Sequence, residues 1–288
     1  MTYSLLQERR VDVNGVGTVV LEGGDASHGS AVVFVHGNPG SGQDWVDIAQ
    51  DVARFSRVVV FDMPGFGRAD KPVDFPYSVE GGAAFLAALL DQLGIARAHL
   101  VLHDFGGPWG LAWALSEPRK AASIALINTG ILPGYRWHAM ARIWRTPLVG
   151  ELSQALTTRK GFHFALRRSS PRGLPEAFIE RMFNDYDHGT RRAVLKLYRA
   201  TDDPAQRSRE LIEPLKALSL PAVVIWGARD PFIPMQYAAL QRLAFPQAQI
   251  HTLQDSGHWP FVDNPAGTRE ALMPFLLHQL GLMHSRAA

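Results

Sequence analysis

Residues His99 to Ala114, HLVLHDFGGPWGLAWA, constrain the chain most tightly, because an apolar strand over Leu100–Leu102 runs into His-Asp, a glycine pair and an apolar helix. Asp104 therefore falls at a sharp strand-to-helix turn, where a side chain is presented over the end of a sheet. A carboxylate in that place has two readings. Its oxygen can displace a leaving group from saturated carbon and form an alkyl ester, which water then cleaves at the aspartate's own carbonyl; a serine making the same displacement would be left as an ether. That reading favours ring opening or dehalogenation over ester hydrolysis. Alternatively, Asp104 caps the helix that begins at Gly106 by accepting its free backbone N–H groups. Either fits this stretch alone.

The rest of the chain supplies the context. Its 288 residues, 47% of them apolar, are enough for one large core or a core with an inserted subdomain. Apolar runs such as Ala31–Val35 fall far short of the roughly 20 residues that span a bilayer, so no transmembrane segment is expected. The opening MTYSLLQERR lacks the pattern of a secretory signal, and a cytoplasmic protein is the expectation. With no cysteine, the chain has no disulfide, thiolate nucleophile or cysteine metal site. The net charge of +2 is uneven: Ile131–Leu220 holds 16 Lys/Arg against 9 Asp/Glu. A solvated face or an attraction for acidic groups both account for that excess. No basic run with interleaved aromatics suggests nucleic acid as a partner.

In chain order, the apolar run in Gly15–Gly23, a Gly/Asp/Ser-rich turn and AVVFV at Ala31–Val35 predict a β-hairpin leading into a buried strand. That strand ends in HGNPGSGQDW, a tight loop before a helix over Gln43–Ala53. Its glycines do not have the spacing of a dinucleotide fingerprint. RVVVFDMPGFGRADKP repeats the plan, and apolar residues at helical spacing predict a helix over Ser78–Leu93. A further strand covers Ala122–Ile127. From Gly130 to Leu218 only helical-looking stretches appear, and the strand–helix rhythm resumes with PAVVIWGARD, a helix over Met235–Ala244, a strand over Gln249–Leu253 and a helix over Pro265–Leu280. Such alternation implies a mostly parallel sheet with helices on both faces.

Five loops, HGNPG, DMPGFGRADKP, HDFGG, WGARD and SGHWP, resemble in content and order those of the α/β-hydrolase superfamily. The resemblance covers nearly the whole chain and is to the branch with an aspartate nucleophile, which contains epoxide hydrolases and haloalkane dehalogenases. It implies an α/β-hydrolase fold with a core domain of residues 1–129 and 219–288 and an inserted helical cap of residues 130–218. It also implies Asp104 as nucleophile, His258 as the base that activates water, and Asp230 as the acid that orients His258. Singly, His258 reads as a satisfied turn histidine and Asp230 as a turn residue before Pro231. Jointly, placed after predicted parallel strands and in the order nucleophile, acid, histidine, they read as a catalytic set. His36 and His103 read as supports for local loops. The backbone N–H groups of Asn38 and Phe105 would form the oxyanion hole.

Two leaving groups compete. The resemblance implies that a dehalogenase holds halide with a Trp directly after the nucleophile and an Asn or second Trp; this chain has Asn38 but Phe105, whose ring has no N–H. Trp137 or Trp144 would have to supply the missing donor, or else they pack. An epoxide hydrolase needs an acid over the ring oxygen, and VLKLYRATDD resembles the lid segment that carries such a tyrosine, here Tyr198. The bland reading of Tyr198 is an amphipathic aromatic on a helix face. Tyr135 and Tyr186 are candidates for a second tyrosine. Leu102 stands where glycine is common two residues before the nucleophile, a departure that resembles dehalogenases.

The sequence thus points to a hydrolase opening a small apolar epoxide with water to a vicinal diol, needing no metal or organic cofactor. A haloalkane dehalogenase with the same Asp-His-Asp set is the second reading, and a non-catalytic hydrolase-fold protein that closes on a small ligand is a third. The basic balance of the insertion suggests an acidic substituent on the substrate.

Overall fold

An Asn-Gly pair folds the N-terminal chain back on itself. Asn14 (φ 53°) and Gly15 (φ 84°) both take the left-handed conformation that a two-residue hairpin turn requires. They join β1 (Leu6–Val13) to β2 (Val16–Gly23), with Val13 paired to Val16. The computed structural model describes residues 4–26 and 29–282. The apolar pattern does not mark β1, because LQERRVDV is an edge strand in which only Leu6, Val11 and Val13 are buried.

The remaining strands are β3 (Ser30–Val35), β4 (Val58–Phe61), β5 (Arg97–His103), β6 (Ala121–Ile127), β7 (Ala222–Gly227) and β8 (Gln249–Leu253). The sheet runs β1-β2-β4-β3-β5-β6-β7-β8, antiparallel at its first two pairings and parallel thereafter. From β4 to β7 the strands are almost wholly buried and read as continuous apolar runs, as a sheet covered on both faces requires. Alternate residues face opposite ways. Val32, Phe34, Val101, Ile127 and Ile225 pack with helices Val46–Val52 and Pro265–Gln279, whereas Val33, Val35, Leu100, Leu126 and Trp226 pack with helices Val79–Gln92, Gly106–Ser116 and Gln236–Leu240.

Between β6 and β7 the chain forms six helices and, among the described residues, no strand: Ala139–Arg145, Val149–Ala155, Arg159–Arg167, Glu176–Asp185, His188–Ala200 and Pro204–Ala217. An ion pair ties them to the sheet side. Arg181 donates to the buried Asp44 carboxylate at 2.7 Å and to Ser41 Oγ at 3.0 Å.

Register brings the carboxyl ends of the central strands together, since Val35 pairs with Leu102, His103 with Ile127, Ile127 with Ile225, and Gly227 with Leu253. Loops leaving those ends therefore meet at one edge of the sheet, where open α/β sheets hold ligands.

The leucine at position 102 is accommodated by the next helix. A Cβ on Gly110 would overlap the Leu102 side chain, so the small residue needed for close strand–helix approach stands at 110 in place of 102. Gly110→Ala is expected to destabilise the fold by about 1–3 kcal/mol through overpacking. In chemical denaturation, Leu102→Ala with Gly110→Ala should lose about 1 kcal/mol less than the two single losses added; strictly additive losses would show that this contact is not the cause.

Candidate active site

Asp104 leaves β5 with φ 47°, a left-handed conformation that an aspartate enters at a cost of order 1–3 kcal/mol. The turn closes because its neighbours are glycines: a Cβ on Gly37 would overlap the Asp104 carboxylate, and one on Gly106 would overlap the Val35 carbonyl. Thr129 Oγ1 donates to the Asp104 carbonyl at 2.6 Å and Gly107 N–H at 2.9 Å. The following helix starts from Phe105 with no side-chain cap. The Asp104 carboxylate instead accepts the Asn38 N–H on Oδ1 at 2.7 Å, together with the Phe105 N–H. Burial pushes its pKa above the ordinary carboxylate value, opposed by His258 and by these two N–H groups.

His258 is buried beside it, with Nε2 3.7 Å from Asp104 Oδ2, while Nδ1 donates to Asp230 Oδ2 at 2.7 Å. Burial alone would lower the His258 pKa, but the Asp230 charge and hydrogen bond, with Asp104 behind them, raise it above 6.5. Asp230 is itself fixed by the N–H groups of Phe232 (2.7 Å) and Ile233 (3.0 Å) on Oδ1 and by Asn128 Nδ2 (2.7 Å) on Oδ2. Asn128, which also accepts the Gly227 N–H at 2.9 Å and holds φ 47°, is a residue the sequence reading missed. His103 Nε2 donates to the His258 carbonyl at 2.8 Å and its pKa lies well below the ordinary histidine value, mainly from burial, so it steadies the histidine loop as a neutral ring. His36 accepts the Met63 N–H at 2.9 Å, joining two loops behind Asn38.

A cavity of about 390 Å³ opens above these groups. Asn38, Asp104, Tyr198 and His258 form its polar end, and Trp144, Phe162, Leu166 and Phe232 contribute to its apolar wall. Tyr198 sits on helix His188–Ala200 among three rings, Phe105 at 5.0 Å, Trp144 at 5.0 Å and Trp137 at 5.2 Å between centroids. Its hydroxyl lies 3.4 Å from Asn38 Nδ2, which donates to it. Burial and the nearby Asp104 charge raise the Tyr198 pKa far above 10, so the group is a neutral phenol.

The two tryptophans separate. Trp144 lines the larger cavity, whereas Trp137 stacks on Phe105 and lines a smaller one, about 60 Å³, that shares Asp104 and Tyr198 with the larger. Trp137 Nε1 is buried without a partner. Tyr186 lines the larger cavity with its hydroxyl hydrogen-bonded to Gln154 Nε2 at 2.9 Å, and Tyr135 lines the smaller one, donating to the Phe232 carbonyl at 3.1 Å. Among the described residues no group of three or more acidic or histidine side chains is placed to hold a metal ion.

The model of the alpha/beta hydrolase fold family matches residues 30–265. The chain belongs to that family. Among relatives of this hydrolase-fold chain, a cis-3-alkyl-4-alkyloxetan-2-one decarboxylase of Xanthomonas campestris pv. campestris is 30% identical, over 93% of this chain and 95% of its own. A 2-hydroxy-6-oxononadienedioate/2-hydroxy-6-oxononatrienedioate hydrolase of Burkholderia vietnamiensis is 28% identical, over 93% and 91%. The crystal structure of the Cif epoxide hydrolase from Acinetobacter nosocomialis superposes with a TM-score of 0.84 over 96% of this chain and 90% of that one. At 18% identity it shows a shared fold.

The histidine's position in this hydrolase fold sets a pH dependence. Its folded pKa lies above the ordinary value, so its contribution to stability is whole below pH 6.5 and is lost as pH rises through the folded value. An NMR titration of the His258 imidazole should place its midpoint above 6.5 in the native protein and at a lower pH in Asp230→Asn, where burial is less opposed. A midpoint that does not move would exclude Asp230 as the cause.

Proposed function

We propose that this α/β-hydrolase opens small apolar epoxides to vicinal diols through an ester on Asp104. The observation that carries the reading is the pairing, across one apolar cavity, of a carboxylate held by two N–H groups with a buried neutral phenol, Tyr198. In this mechanism an Asp104 oxygen attacks an epoxide carbon, the ring C–O bond breaks, and the Tyr198 proton passes to the departing oxygen. Loss of ring strain and that proton make the alkoxide a tolerable leaving group. Asn38 Nδ2, which already donates to the Tyr198 oxygen, stabilises the phenolate that results.

His258 Nε2 then takes a proton from water as the water oxygen attacks the Asp104 carbonyl carbon. The N–H groups of Asn38 and Phe105 hold the oxyanion, a place they already occupy around the resting carboxylate. Collapse releases the diol and restores the carboxylate, and return of the proton from His258 to Tyr198 restores the starting state. In this proposal the six helices of residues 130–218 form a cap that keeps bulk water from the ester, and Trp144 contacts substrate.

One observation favours a second reading, displacement of halide. Asn38 Nδ2 and the unpartnered Trp137 Nε1 are N–H donors of the kind a halide needs, although the Phe105 ring supplies none. The purified protein should therefore be given epoxides, haloalkanes and a cis-3,4-dialkyl oxetan-2-one in parallel, following diol, halide and carbon dioxide. Diol without halide supports the proposal. Halide or carbon dioxide alone moves the assignment to a different leaving group on the same nucleophile, and tight binding without single-turnover chemistry moves it to a ligand-binding protein.

Three variants test the roles. Asp104→Ala is expected to abolish turnover, and unchanged activity would overturn the mechanism. His258→Gln should let the alkylated Asp104 accumulate, seen as a mass increase of one substrate. Tyr198→Phe should slow epoxide opening about a hundred-fold while barely affecting any halide displacement.

A further inference from the structure

Helices Ala139–Arg145, Val149–Ala155 and Arg159–Arg167 all border the larger cavity, and their exposed positions carry large apolar residues beside basic ones. Leu148, Leu152 and Leu156 are 83%, 60% and 67% exposed, at the N-cap, the middle and the C-cap of Val149–Ala155, and backbone hydrogen bonds from Leu152 to Leu148 and from Leu156 to Leu152 stack them into one ridge. Met140, Ile143 and Val149 are exposed as well, and Phe164 is 63% exposed. Single exposed leucines are ordinary, whereas such a run on helices sharing one cavity marks an interaction surface.

Two further observations bear on what it meets. Leu148, the most exposed large apolar residue described, has φ 67°, a conformation that a leucine rarely enters. The chain therefore carries a strained backbone at the very position where an apolar side chain stands out into water. The ridge also continues inward, since Met140, Ile143 and Leu156 belong both to the exposed surface and to the cavity wall.

Charge selects the occupant. Residues 136–172 carry eight Lys/Arg against one acid, Glu151, which is already paired with Arg199. Arg145, Arg159 and Arg167 are in ion pairs, but Arg142, Lys160 and Arg168 have no carboxylate within 4.0 Å among the described residues. Arg168 lies 5.3 Å over the Phe164 ring, joining a cation to the apolar surface. A second copy of the chain would bring the same positive field face to face with itself. An anionic bilayer offers headgroups for the cations and an acyl boundary for the leucines. No helix among the described residues is long and apolar enough to cross a membrane, so the contact is with the bilayer surface.

We propose that this face docks on an anionic phospholipid bilayer, so that an apolar substrate passes from the lipid directly into the cavity. Docking is independent of the reaction assigned above. The test is sedimentation of the full chain with vesicles of phosphatidylcholine alone and of equal parts phosphatidylcholine and phosphatidylglycerol. Binding to the mixed vesicles, weakening as salt is raised, is expected.

Leu148→Asn with Leu152→Glu should lower partitioning about ten-fold with the melting temperature and near-ultraviolet dichroism unchanged. Neither residue lines the cavity, and both side chains stand largely in water, so the substitutions remove no packing from the interior. Arg142→Glu with Lys160→Glu, which leaves the leucines in place, should weaken binding to the mixed vesicles more than to the neutral ones. Failure of the native chain to bind the mixed vesicles, or equal binding by both folded double variants, overturns the proposal. So does a concentration-dependent dimer that the leucine variant loses, which would give the face to a second copy.

Discussion

The left-handed turn at Asp104 is a strained conformation that survives only because everything around it is closed. The Asp104 carbonyl accepts from Thr129 and Gly107, the carboxylate accepts from Asn38 and Phe105, and the absent side chains of Gly37 and Gly106 leave the room that the turn occupies. A carboxylate held in this way cannot swing to follow water or a neighbouring cation. Its position relative to His258 is set by the sheet register, and the electrostatic arrangement exists before any ligand arrives.

Charge balance in the site follows from that rigidity. Burial would neutralise Asp104 by protonation and His258 by deprotonation, yet each opposes the effect on the other, and Asp230 adds its charge on the far side of the ring. Asn128 is the reason Asp230 can do this at depth. Together with two backbone N–H groups it occupies the carboxylate's remaining lone pairs, so the charge is hydrogen-bonded as well as paired.

Much of this was legible in the chain because the chemistry is local. The glycine pair after HDF, apolar runs before WGARD and HGNPG, and a histidine in a short loop before the final helices each carry their own signal, and the strands before the first three loops are almost wholly buried. Asn128 was not legible. It follows β6 in an ordinary turn sequence, and its partners are Gly227 and Asp230, about a hundred residues away. β1 was hidden by the charges of an edge strand. The tryptophans could be named but not sorted, since which cavity each lines depends on how the helices between β6 and β7 cross above the sheet.

Arg181 links those helices to the loop after β3 at short range. Its guanidinium reaches down to Ser41 and Asp44, and Ser41 lies three residues beyond Asn38, the donor that holds the Asp104 carboxylate. Because Asp44 is buried, pulling Arg181 away would leave a carboxylate stranded without its counter-charge. Helix Glu176–Asp185 is thus an anchored hem, and the helices between β6 and β7 cannot lift from the sheet at that point without breaking a buried charge pair.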